Sequence, residues 1–192
     1  RLAMIPRSHN HAGYPDGVPG PQLLAAMAEQ AARYGADLRK GEATALARQG
    51  DGFRAETTAG PIRARAVILA TGVVNARPPL PDAVHDAALA RGLLRYCPIC
   101  DAYEAIDRRI GVLGGDRHAL AEAMFLKTYS RQVSLIAPHA FDLDGEARGE
   151  AERAGVALIG AGVAAYDFAG DVARLILRAG REAILATLYA GL

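Results

Sequence analysis

Cys97 and Cys100 are the only cysteines in the 192 residues, and two residues separate them. At that spacing one thiolate can attack a disulfide while the other resolves the mixed disulfide that results. Pro98, between them, stiffens the loop. A lone CxxC has two other readings. It is half of a zinc site, although no second CxxC or paired Cys/His completes one, and His9 and His11 are the only close histidines. It can also be two thiols packed into a core. No metal site is expected on this ligand count.

The surrounding composition is that of an ordinary globular protein, with 51% hydrophobic residues, 22% charged residues and a net charge of +1. Nothing in that balance favours nucleic acid or a membrane surface as a partner. The apolar runs are too short to cross a bilayer, and Arg1 to Asn10 do not form a signal peptide. Two cysteines three apart point to a reducing, cytoplasmic setting rather than a disulfide scaffold. The start without Met and the apolar end, Ile184 to Leu192, suggest a piece of a longer protein.

The elements that must hold the pair follow from pattern. Pro21 can open a helix over Gln22 to Tyr34, and Gly35 stops it. Strand-like runs between Ala36 and Ala66, broken at Gly50-Asp51-Gly52 and Gly60-Pro61, predict antiparallel hairpins. Ala66 to Gly72 is a continuous apolar run that fits a strand buried on both faces. The prolines in Arg77 to Pro81 mark a boundary between 1–80 and 81–192. Beyond it, strands at Ile110–Leu113, Gln132–Ile136 and Val156–Ile159 alternate with helices at His118–Tyr129 and Gly145–Ala154. That alternation implies a parallel sheet. Val172 to Leu177 and Ala183 to Tyr189 are expected to form a hairpin, and Gly170-Asp171 a turn.

Cys-Pro-X-Cys also resembles the glutaredoxin and thioredoxin motif, but there it opens a long helix. Here nine residues, Asp101 to Arg109, separate it from the next strand. A wider pattern is more specific. Cys97-Pro98-Ile99-Cys100-Asp101, Ile110 to Gly115 and Ala121 to Leu126 resemble low-molecular-weight thioredoxin reductases. Asn10 to Pro15 with Gly17, Gly20 and Leu23-Leu24 is similar to an early segment of that family, and Ala66 to Gly72 to its strand ending Ala-Thr-Gly. The four segments occur in family order across nearly the whole chain.

The resemblance implies an α/β protein: a Rossmann-like parallel-sheet inserted domain at 81–192 carrying the CxxC, and part of an FAD-binding α/β domain at 1–80. It implies electron flow from a flavin through the pair to a disulfide, in a thioredoxin-like protein or a small molecule, and a homodimer when full length. Carried over by position, Cys100 is the flavin-proximal thiol and Cys97 the interchange thiol. Asp101 becomes the acid/base group, with a helix N-cap as its alternative use. Asn10, Thr71 and Gly72 fall at family positions beside FAD. His11 and Tyr14 share the loop of Asn10. Related proteins run the chemistry as small-molecule dithiol oxidases, usually with His after the second Cys, so Asp101 favours a reductase. A non-catalytic regulatory relative is the reading from another class.

Two departures bear on cofactors. The family's first FAD fingerprint is absent. The dinucleotide turn at Gly114 and Gly115 continues Asp116-Arg117-His118-Ala119, so Asp116 replaces the second Gly and brings bulk and negative charge where a pyrophosphate would sit. Asp116 could itself cap the helix. The next strand ends Ala137-Pro138-His139, without the family's basic clamp. NADPH binding is therefore expected to be weak or absent, and ferredoxin, used by some relatives, is an alternative donor.

Overall fold

The computed structural model describes residues 2–191 and is α/β. Helix α1 (Gly20–Arg33) carries Pro21 in its first turn, where a missing N–H costs no helical bond. Leu23 on its apolar stripe is buried, whereas Leu24 and Met27 stay exposed. Strands β1 (Ala43–Gln49), β2 (Gly52–Thr57) and β3 (Ile62–Ala64) form the expected antiparallel meander. Helix α2 (Asp82–Ala90) and strand β4 (Leu94–Arg95) lead to the one-turn helix α3 (Pro98–Asp101) and a 3-10 turn at Ala102–Ala105. Then follow β5 (Ile110–Leu113), α4 (Arg117–Leu126), β6 (Val133–Ile136), α5 (Gly145–Ala154) and β7 (Ala157–Ile159). The series closes with β8 (Val163–Asp167), β9 (Ala173–Leu177), β10 (Glu182–Leu185) and β11 (Thr187–Ala190).

Two compact units result: Arg1–Leu24 with Val74–Leu192, and Ala25–Val73. The first unit is built on a parallel sheet ordered β4-β11-β5-β6-β7. On one face, Ile110, Val112, Val133, Leu135 and Tyr189 pack with Ala119, Leu120, Ala123 and Leu126 of α4 and with Ala147 and Ala151 of α5. On the other, Leu94, Leu113, Ile136 and Leu188 pack with residues of the antiparallel β10-β9-β8 sheet, such as Leu175, Leu177 and Leu185. Full burial of such a side chain contributes about 1.5–3 kcal/mol. Local signals fix the helix ends: the Asp144 carboxylate accepts from Ala147 N at 2.8 Å at the start of α5, and Gly155 ends it at φ 67°. Among the described residues no helix is long and apolar enough to cross a membrane.

Two expectations need correction. Ala183 to Tyr189 is not one hairpin arm. It breaks at Ala186: β10 pairs with β9, and β11 inserts between β4 and β5 of the parallel sheet. Both halves are apolar β-formers, so composition alone could not reveal the change of sheet. Ala66 to Gly72 is extended but unpaired, with Ile68 and Leu69 91% and 73% exposed. A buried strand needs neighbours to take its N–H and C=O groups, and no described strand of this chain pairs with it.

Candidate functional site

β4 delivers the chain to Cys97, and Pro98 begins the single turn of α3. Cys100 N donates to the Cys97 carbonyl at 2.9 Å, which brings the two Cα atoms to 5.3 Å, and the sulfurs are joined as a disulfide. With each sulfur bonded to the other, neither is a metal ligand in this state. The loop before α1 braces the turn from one side. Ser8, fixed by a two-way backbone bridge to Val18, donates its hydroxyl to the Cys100 carbonyl at 2.7 Å. Asn10 Nδ2 donates to the Ile99 carbonyl at 2.9 Å. Between them, His9 Nδ1 lies 2.7 Å from Glu104 Oε1, and its ring lies 4.7 Å from that of Tyr103. Gly17, at φ 72°, leaves room for that imidazole, since a Cβ there would come within 2.9 Å of three ring atoms.

Asp101 turns inward and makes no cap. Its carboxylate is 3% exposed; Oδ2 pairs with Arg95 Nη1 at 2.9 Å, and Oδ1 accepts from the Tyr189 hydroxyl at 3.0 Å. Burial pushes its pKa up, opposed by the Arg95 charge and the Tyr189 hydrogen bond. Arg95 is itself anchored, donating Nε to the Gly92 carbonyl and to Thr187 Oγ1. Burial, with the Asp101 charge beside it, also holds the Tyr189 hydroxyl protonated well above its ordinary range.

Beside the pair opens a cavity of about 430 Å³, lined by Cys97, Ile99, Tyr96, Asn75, His118 and Glu122 among others. Tyr96, 7% exposed, places its hydroxyl 2.9 Å from Nε2 of the buried His85, whose Nδ1 is 2.9 Å from Asp86 Oδ1. Sequence reasoning missed Ser8, His9, Arg95, Tyr96 and His85. Arg95-Tyr96 directly before Cys97 was a usable signal; His85, twelve residues upstream, carried none.

Gly114 and Gly115 occupy the turn between β5 and α4. A Cβ on Gly114 would meet Ala119 Cβ at 2.4 Å, and one on Gly115 the Ala140 carbonyl at 2.7 Å, so their small size serves close packing within this chain. Asp116 caps α4, accepting from Ala119 N at 2.9 Å. Arg117 is drawn to Asp144 and Glu146, with contacts of 3.1 and 3.2 Å. The end of α4 that a pyrophosphate would use therefore already holds the chain's own carboxylate, and its nearest guanidinium is neutralised. These residues do not fit a pyridine dinucleotide. Thr71 and Gly72 lie in the second unit, in the extended segment; space around Gly72 is open, with no atom within 4 Å of a would-be Cβ. That leaves the backbone at Gly72 open to close approach by a ligand, whereas the Asn10 side-chain amide is already engaged with the Ile99 carbonyl. His11 and Tyr14 contact each other edge to face at 5.5 Å.

No family model matches the chain. It is 36% identical over 128 residues to a thioredoxin reductase of Streptomyces coelicolor, covering 66% of this chain and 39% of that protein. Over its first several relatives the chain spans about two fifths of their length. The crystal structure of HlmI superposes with a TM-score of 0.81 at 26% identity, covering 99% of this chain and 60% of the other. The atypical thioredoxin reductase TRi from Desulfovibrio vulgaris Hildenborough gives 0.52 at 28% identity, covering 99% and 64%.

Proposed function

The chain is a thioredoxin reductase homologue, and from that premise we propose that it supplies the disulfide-bearing part of a flavin-dependent dithiol–disulfide oxidoreductase. One observation carries the reading: Cys97 and Cys100 form a disulfide at the edge of a cavity, on a turn held by Ser8 and Asn10. A flavin bound to the full-length protein supplies two electrons to that disulfide. Cys100 is the thiol on the flavin side and Cys97 the thiol that meets the substrate. Asp101, directly after Cys100, takes and returns the proton on that side, and the burial that raises its pKa suits it to hold one. Asn10 in the first unit and, separately, Thr71 and Gly72 in the second stand at family positions that contact a flavin. Residues 1–80 belong to the FAD-binding domain and 81–192 to the inserted domain, with Gly114 and Gly115 as the remnant of its nucleotide turn.

The substrate is a disulfide in a thioredoxin-like protein or a small molecule. The blocked end of α4 supports an electron donor other than NADPH, with ferredoxin as the candidate. A reducing, cytoplasmic location suits a redox pair of this kind, and the full-length protein is expected to be a homodimer. The purified full-length protein should show a flavin spectrum that NADPH bleaches slowly or not at all under anaerobic conditions. Cys100→Ser should abolish turnover of a disulfide. A colourless full-length protein would sink the flavoenzyme reading, and fast bleaching at micromolar NADPH would overturn the donor assignment.

A further inference from the structure

His85 takes no part in the chemistry described so far, yet it is 3% exposed and engaged through both ring nitrogens. The Asp86 carboxylate accepts, so Nδ1 carries the proton and Nε2 is left to accept from the Tyr96 hydroxyl. The three groups form a file. Asp86, with its side chain 74% exposed, stands at the solvent end, His85 is enclosed, and Tyr96 reaches the cavity that Cys97 also lines. Arg77, in the segment that borders the cavity and itself paired with Asp82 at 3.0 Å, is the other charge acting on the Tyr96 hydroxyl. Asp101 cannot serve this side: both its oxygens are held by Arg95 and Tyr189, and it does not line the cavity.

Resting on the dithiol function proposed above, we propose that Tyr96, backed by His85 and Asp86, is the proton carrier for Cys97 and for the substrate's leaving thiolate. In the reduced pair, the Cys97 thiol passes its proton to the Tyr96 oxygen as the Tyr96 proton moves to His85 Nε2. The imidazolium so formed faces the Asp86 carboxylate. Cys97 thiolate attacks one sulfur of the substrate; a Cys97–substrate S–S bond forms and the substrate S–S bond breaks. The departing thiolate takes a proton from Tyr96, which recovers one from His85. The Cys100 thiol loses its proton on its own side to Asp101, which passes it on to solvent, and its thiolate attacks Cys97 sulfur, releasing the second substrate thiolate. That thiolate is protonated by the same file, recharged from solvent at Asp86. The pair gives up two electrons and two protons, and one disulfide becomes two thiols.

The test uses the full chain with its disulfide chemically reduced and the reductant removed, so it needs no flavin. Single-turnover oxidation is followed with two disulfides, bis(2-hydroxyethyl) disulfide and 5,5′-dithiobis(2-nitrobenzoate). The first leaves as a basic thiolate that needs a proton; the second leaves as a stable thiolate that does not. Tyr96→Phe keeps the ring, and His85→Gln keeps a partner for the phenol but cannot take up and release a proton. Loss of Cys97 activation slows both probes alike, whereas loss of leaving-group protonation slows only the aliphatic one. Each variant should therefore slow the aliphatic disulfide by roughly 10²-fold more than the aromatic one, the low end for loss of general acid catalysis. Equal slowing of both probes, or of neither, in both variants would overturn the relay. A wild-type dithiol that reduces neither probe would instead overturn the oxidoreductase reading on which it rests.

Discussion

Asp101 shows how a single side chain can be legible in type and hidden in arrangement. Its place after Cys100 suggested an acid/base group or a cap, and the chain makes no cap of it. What the sequence could not show is that Arg95 and Tyr189, six residues before and eighty-eight after, close on its two carboxylate oxygens. Asp101→Ala would leave the Arg95 guanidinium buried without its counter-charge and is expected to destabilise the fold by about 3–5 kcal/mol, read from urea unfolding. The carboxyl's pKa is raised above 3.8 by burial. In the window between the unfolded and folded values, the native chain holds the proton more tightly than the unfolded one. Stability due to this group is therefore lost as pH rises through that window. Asp101→Asn, which does not titrate, should flatten that slope in unfolding free energies measured from about pH 4 to 7.

The elements repeat the lesson with different physics. β5 and α5 were readable to the residue because local signals bound them: an apolar run stopped by Gly114, and an Asp144 cap with Gly155 after it. β11 was not readable, because the choice between a hairpin and a parallel sheet depends on partners far along the chain. α4 carries the sharper consequence. Asp116→Ala should remove its cap and cost roughly 1 kcal/mol, whereas Asp116→Gly should cost only a few tenths. The glycine variant also reopens the turn, so it should bind NADPH more tightly than the parent in an equilibrium titration. Unchanged binding would mean that the Arg117 contacts with Asp144 and Glu146, rather than the Asp116 carboxylate, exclude the nucleotide.

At the scale of the molecule, the parallel α/β class was legible from alternating strand and helix patterns, and the redox pair from two cysteines and their flanks. The segment from Ala66 to Val73 was legible in composition and misread in state, since no described strand pairs with it. Ile68, Leu69 and Val73 are all more than half exposed. An unpaired apolar segment of this kind is a ready protease site. Limited proteolysis of the chain should cut first between Ala66 and Val74, and intact-mass measurement should recover a product that retains the Cys97–Cys100 disulfide. First cuts within α4 or α5 would contradict this.

The placement of β11 also sets an order in time. Leu94 and Arg95 lie opposite Leu188 and Tyr189, so the sheet beneath the cysteines is completed by residues made some ninety positions after them. At about 5–20 residues per second on the ribosome, roughly 5–20 s separate the appearance of Cys100 from that of Tyr189. During that interval β5, α4, β6, α5 and β7 have all their local partners, while the two thiols still lack their seat. A nascent chain stalled just before Thr187 should therefore show thiols that alkylate faster than those of the finished, reduced protein. The redox pair is encoded before the strand that completes its support, and it waits on that strand to be secured.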